Sequence, residues 1–273
     1  LKSLNNLFIT GLMNFLIQAA KAPKAIARSI ANAPYNKGDS LEKFKVKAYK
    51  VASTDSNNIP LISYIAKKRK PMFISTAMSN LSEIRDLVNC VKKYIPNKFV
   101  LMQCTGNYPS ANSDSNLKVM LTYKKLFNCL YGYSDHTLDH INPIAATSLG
   151  ASVYEKHFTL NKKMYGPDHR MSLLPSELKK TIQIIRQTSL ALGEEKKVVL
   201  GSEKYNRIKL KKSLVSIVSI KKGERFDKNM LAIKRPGTGL VPKKIYTISN
   251  YVAANHIKAN SVIKLKMIKK IKK

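Results

Sequence analysis

The sequence has no tryptophan and only three cysteines, Cys90, Cys104 and Cys129. Their odd number argues against a disulfide framework, and their spacing matches no structural zinc motif. A reducing, cytoplasmic setting is the expectation. Acidic residues are also few, 16 against 49 Lys and Arg, which leaves a formal charge of +33. None precedes Asp39. The apolar run from Leu7 to Ala20 is shorter than the roughly 18 residues a membrane span requires, so no membrane association is expected. Arginine, the better reader of phosphates and bases, is scarce. The charge alone would suggest a polyanion partner. However, the excess is lysine spread over helix faces and the tail, accompanied by abundant Asn and Ile, as an A+T-rich genome dictates. No nucleic-acid partner is expected, although the field would still draw small anionic substrates.

What is present is a core-forming chain of 273 residues, 44% of them hydrophobic, enough for one large or two smaller domains. From Ser40 onward a regular rhythm reads as strands at 46–52, 71–75, 99–104, 130–133 and 152–155. Between and after them lie helices at 59–68, 81–94, 117–127, 141–149 and 175–192. Ser79 or Asn80 is a plausible cap for the second helix, and Gly150 and Gly193 close the last two. Strands alternating with helices imply a parallel sheet. Each strand ends in polar residues, the pattern of a (β/α) barrel whose chemistry sits at the carboxyl ends of its strands. Five strands fall short of the eight that close such a barrel. Residues 196–212 are charged and read as a linker. A compact β-rich segment follows, with strands at 213–220 and 231–235 and a closing strand at 262–267.

Two clusters carry the chemistry: Gly132-Tyr133-Ser134-Asp135-His136-Thr137, and Glu155-Lys156-His157-Phe158-Thr159 followed by Gly166-Pro167-Asp168-His169. His136 and His157 end successive strands, so their rings can converge. Neutral imidazoles suit a divalent metal, and the accompanying Asp135 and Glu155 favour ligands over two satisfied core histidines. Lys50, ending a strand beside Ser53, suits an anion, as do the hydroxyls of Ser75 and Ser134. The alternative is a surface lysine with N-capping serines. Glu155 is a poor strand residue, expected to face the barrel mouth as a positioning or proton-transfer group. The Gly166-Pro167 turn fixes Asp168, which binds substrate hydroxyls or pairs with Arg170. Tyr108 lines a pocket or simply packs. His140 and His256 lack a motif and read as structural.

These stretches resemble the sialic acid synthase family, which comprises N-acetylneuraminate synthases and the related legionaminic and pseudaminic acid synthases. The resemblance is carried by Ala48–Ser53, Lys70–Met78, Cys104-Thr105-Gly106-Asn107-Tyr108-Pro109, the two histidine clusters and Lys234-Arg235-Pro236-Gly237-Thr238-Gly239. It implies a (β/α)8 TIM-type barrel, N-terminally incomplete here, followed by a small SAF (antifreeze-like) domain. It also implies condensation of phosphoenolpyruvate with an N-acetylated amino sugar, such as N-acetylmannosamine, to a nine-carbon 2-keto sugar acid with release of phosphate. An inactive remnant that only binds sugar or a partner is the alternative reading.

By the same resemblance, Lys50, Ser53, Ser75 and Ser134 line the phosphoenolpyruvate site, with Asn107 a further substrate-binding residue. His136 and His157 hold Mn2+, with Mg2+ or Co2+ as alternatives. Glu155, Asp168 and Tyr108 serve the sugar and its chemistry. Arg235 reaches a neighbouring subunit's site in a domain-swapped homodimer. Two residues depart from the family pattern: Ala77 stands where glycine is usual, and Gly106 where some members have an asparagine that contacts substrate. The expected organisation is an unmatched segment at 1–38, barrel at 39–200, linker at 201–212 and SAF domain at 213–273. The first segment reads as a targeting peptide, an amphipathic surface helix or, preferentially, a truncated or frameshifted edge.

Overall fold

The computed structural model describes residues 45–271, so the expectations for 1–38 lie outside the described residues. The chain divides between Gly193 and Glu194 into two compact units. The first is a parallel sheet of β1 (Tyr49–Val51), β2 (Met72–Ser75), β3 (Phe99–Cys104), β4 (Leu130–Asp135) and β5 (Val153–Lys156), hydrogen-bonded in sequence order. Helices α1 (Ile59–Lys67), α2 (Leu81–Lys92), α3 (Val119–Phe127) and α4 (Ile141–Ser148) connect the strands, and α5 (Pro175–Leu192) follows. Local chemistry sets the helix starts. The Asn58 side chain accepts from Leu61 N, with Pro60 in the first turn, and Asn80 with Glu83 forms a reciprocal capping box on α2.

The period-2 alternation of each strand sorts its residues onto two faces. Tyr49, Val51, Met72, Ile74, Leu101 and Tyr133 join the helices in the main core. Phe73, Val100, Met102 and Val153 form a second apolar layer on the opposite face, with Ala48 against it. The strands are therefore apolar on both sides, which is why they read as nearly continuous hydrophobic runs. The sheet is strongly curled. Among the described residues β1 and β5 are its two outermost strands, roughly 19 Å apart if the sheet were flat, yet Lys50 Nζ of β1 lies 3.4 Å from Glu155 Oε2 of β5. Only a concave, barrel-like sheet brings those side chains together. Gly132 serves the same layer: a Cβ there would sit 2.4 Å from the Val153 carbonyl oxygen.

The second unit pairs β6 (Ser213–Ser216) with β7 (Leu231–Lys234), and β8 (Tyr251–Ala253) with β9 (Ile268–Lys270), both antiparallel. Leu214, Ile220, Phe226, Ile248, Ile257 and Ile263 form its core. Two sequence expectations are corrected here. The strand expected at 213–220 stops at Ser216, and the one expected at 262–267 is absent. Val262 makes only an isolated bridge to Val215, Leu265–Met267 is one turn of 3-10 helix, and the strand falls on Ile268–Lys270. The stretch read as linker contains α6 (Lys204–Leu210). It docks on the glycine loop, where Gly237 N donates to the Ile208 carbonyl at 2.8 Å. A side chain at Gly237 would lie 2.6 Å from Lys211 Cβ.

Candidate active site

The concave face of the first unit turns polar toward the carboxyl ends of the strands. Lys50 Nζ donates to Ser75 Oγ at 2.8 Å and to the Val51 carbonyl at 3.0 Å. Its other neighbour is Glu155, and the two side chains are 31% and 32% exposed. Glu155 Oε2 is buried yet has no hydrogen-bond partner among the described residues. At 3.4 Å the Lys50 ammonium balances its charge without donating to it. Ser53 Oγ accepts from Ala77 N at 3.0 Å, tying the end of β1 to the loop after β2. Ser134, buried on β4, is the strand partner of both Cys104 and Glu155. Sequence reasoning passed over Cys104. It is buried, with Sγ 3.8 Å from His136 Nδ1. Burial pushes its thiol pKa up, opposed by hydrogen bonds to Ser134 and Ser53.

The two imidazoles stand just beyond this ring of side chains, with centroids 5.3 Å apart. His136 Nδ1 lies 2.7 Å from the Thr105 carbonyl. A carbonyl can only accept, so Nδ1 carries the proton and Nε2 keeps its lone pair. His157 Nδ1 lies 3.9 Å from Asp168 Oδ2, in the one-turn helix Pro167–Arg170. Burial pushes both imidazole pKa values below the ordinary 6.5; at His136 the Thr105 carbonyl opposes this, and at His157 the Asp168 carboxylate does. The Tyr108 ring tilts over His136 at 4.0 Å and meets His157 edge-on at 5.6 Å. It remains 55% exposed, a partial cover rather than a core residue.

Behind the imidazoles lies a network that the sequence did not reveal. Asp135 is fully buried: its Oδ1 accepts from Thr137 N and Thr137 Oγ1, each at 2.8 Å. Its Oδ2 accepts from Tyr154 OH and, at 2.9 Å, from Lys156 Nζ. Lys156 Nζ also donates to the Thr137 carbonyl.

The structure thus brings Lys50, Ser53, Ser75, Ser134, Glu155, His136, His157, Tyr108 and Asp168 to one end of the sheet. Asn107 is exposed in the loop after β3. Arg235 belongs to the second unit, just after β7. No group of three or more His, Cys, Asp or Glu residues with metal-ligand geometry occurs among the described residues. Two imidazoles that favour the neutral form, one with its tautomer set by a carbonyl, nevertheless fit a cation whose remaining positions go to water and substrate.

A curled parallel sheet with a hydrogen-bonded lysine–serine pair and two neighbouring histidines toward the carboxyl ends of its strands has the form of a (β/α)-barrel type of site. The NeuB family model matches residues 27–197, and the SAF domain model residues 211–269. The chain belongs to the NeuB family, the sialic acid synthases, and carries a SAF domain. It is 39% identical to N,N'-diacetyllegionaminic acid synthase of Legionella pneumophila, over 77% of this chain and 60% of that one. It is 34% identical to pseudaminic acid synthase of Helicobacter pylori, over 81% of this chain and 65% of that one. The chain therefore spans less than two thirds of the length of these relatives. The crystal structure of N-acetylneuraminic acid synthetase from Leptospira borgpetersenii superposes with a TM-score of 0.58 at 31% identity, covering 62% of this chain and 59% of that one. The described residues form five parallel strands of a TIM-type barrel, followed by a SAF domain.

Proposed function

We propose that this chain carries the catalytic face of an enzyme that condenses phosphoenolpyruvate with an N-acetylated amino sugar, forming a nine-carbon 2-keto sugar acid and releasing phosphate. The observation that carries this reading is the meeting of Lys50, Ser75 and Glu155 across the concave face, beside His136 and His157. The Lys50 ammonium and Ser75 hydroxyl supply charge-assisted and neutral hydrogen bonds to the phosphate or carboxylate of the three-carbon substrate. The Glu155 side chain, 32% exposed, offers a carboxylate to a sugar hydroxyl. Asp168, beside His157, takes further hydroxyls, and Tyr108 covers the imidazoles and limits solvent access. A divalent cation, Mn2+ foremost, would be held by His136 and His157 and would polarise the sugar carbonyl as a Lewis acid. The chain's own residues position the two substrates and stabilise charge.

In this reading Arg235 serves the site of a neighbouring subunit in a domain-swapped homodimer, and the reaction is cytoplasmic. The relatives are named for different sugars, so the acceptor is chosen by assay. Purified protein is incubated with phosphoenolpyruvate, Mn2+ and, in turn, N-acetylmannosamine and diacetylated amino sugars, and free phosphate is measured. Phosphate release that depends on a sugar is expected. None with any sugar or metal would leave the inactive-remnant reading in its place.

A further inference from the structure

Asp135 and Lys156 directly precede the two histidines, end neighbouring strands and are partners in the parallel register. They lie on the face of the sheet that carries Tyr133 and Tyr154, so they sit behind the site. Their side chains are 0% and 3% exposed. The contacts converge on the backbone around His136. Asp135 receives Thr137 N and Oγ1, while Lys156 spans both the Asp135 carboxylate and the Thr137 carbonyl. Asn142 Nδ2 donates to Thr137 Oγ1 at 3.1 Å and to Ser115 Oγ at 2.9 Å, which anchors the same turn to α4. Residues 135 and 137 are thereby clamped on either side of one histidine by a lysine adjacent to the other.

We infer that the buried Asp135–Lys156 pair is a positioning device that sets the spacing of His136 and His157, and through it their affinity for a divalent cation. A buried ion pair contributes little net stability compared with a well-packed apolar replacement, but it fixes geometry when both members are held by several hydrogen bonds. All four of the Asp135 contacts and both of the Lys156 contacts serve that end. Groups that orient metal-binding imidazoles typically change cation affinity by about 10–100-fold when removed. The inference deepens the proposed function and rests on its assignment of the two histidines.

The test uses the full chain, the single variants Asp135→Asn and Lys156→Met, and the double variant carrying both. Each single variant strands a buried partner and is expected to lower the melting temperature. The double variant removes both charges and recovers much of that loss. A purely structural role predicts that cation affinity recovers with it. Positioning predicts that it does not: calorimetric titration with Mn2+ alone should show the double variant about 10–100-fold weaker than wild type. Its crystal structure should show the imidazole centroids displaced from 5.3 Å. An unchanged spacing, or wild-type Mn2+ affinity in the folded double variant, overturns the inference. A wild-type chain that binds no Mn2+ instead removes the proposed metal role, and the spacing in the double variant still decides whether the pair positions the rings.

Discussion

Two strand lysines, Lys50 in β1 and Lys156 at the end of β5, show how differently the two outermost described strands of one sheet use the same side chain. Lys50 is about a third exposed, borrows a serine hydroxyl and its neighbour's carbonyl, and faces a carboxylate oxygen that has no hydrogen bond among the described residues. Each of those partners can be exchanged for an incoming anion at little loss. Lys156 is almost wholly buried, and its ammonium is spent on the Asp135 carboxylate and the Thr137 carbonyl. The first edge is a solvated cradle that waits for charge. The second is a preorganised frame whose charge is already satisfied, and its product is the placement of two imidazoles.

That contrast is tested first where the largest effect is expected. His136→Ala removes an imidazole from the framed edge. Phosphate release should fall more than about 100-fold, since removing even the groups behind a metal ligand has effects up to that size. Cation binding should weaken in parallel while the far-ultraviolet circular dichroism spectrum stays native. Unchanged Mn2+ affinity would take His136 out of the metal-binding pair.

Next in size is the cradle itself. Lys50→Met should raise the KM for phosphoenolpyruvate about 10–100-fold, the equivalent of one lost hydrogen bond to a charged group at about 1.5–3 kcal/mol. Mn2+ affinity and melting temperature should stay near wild type, because the Lys50 ion pair is partly solvated and contributes little to stability. Lys156→Met should do the reverse, lowering the melting temperature and cation affinity. If Lys50→Met destabilises the fold as much as Lys156→Met, the two edges are not different in kind.

The same contrast marks what the sequence could reveal. β3 at Phe99–Cys104 and α5 at Pro175–Leu192 fall where the apolar pattern and the flanking Pro175 and Gly193 put them. Glu155 and the two histidines stand out in the sequence because each sits at the polar end of a β-prone run, whereas Lys50 and Ser75 stand out only through the family resemblance. β4 runs two residues past its expected end at Tyr133. Ser134 and Asp135 look like loop residues, but they pair with Glu155 and Lys156 in the sheet. The Asp135–Lys156 pair was invisible for the same reason: only the parallel register joins residues 21 positions apart. Cys104 reads as one of three unspaced thiols until the fold sets it against His136. In the second unit, β8 is only three residues long and β9 is masked by lysines. The register there is set by pairing, not by a hydrophobic period.

The smallest expected effect concerns the protonation of the framed histidines. Burial lowers both imidazole pKa values below 6.5, so the folded chain favours the neutral rings. Between those lowered values and 6.5 the unfolded chain binds protons that the folded chain does not, and stability rises with pH across that window. The contribution is complete above 6.5 and disappears as the pH falls through the folded values. Asp139 and Glu177, whose pKa values are lowered chiefly by hydrogen bonds from Asn112 and Lys162, act further down, below their ordinary 3.8 and 4.5. The two windows are therefore separable. Melting temperatures of the metal-free protein, measured between about pH 8 and pH 5, should decline on the acid side. The double variant His136→Gln/His157→Gln should be flatter over the same range. Each pKa unit corresponds to about 1.4 kcal/mol, so the decline should be modest. A wild-type profile as flat as the variant's would mean that the frame holds protonated and neutral rings equally well, and the distinction between a satisfied edge and a waiting one would then rest on the lysines alone.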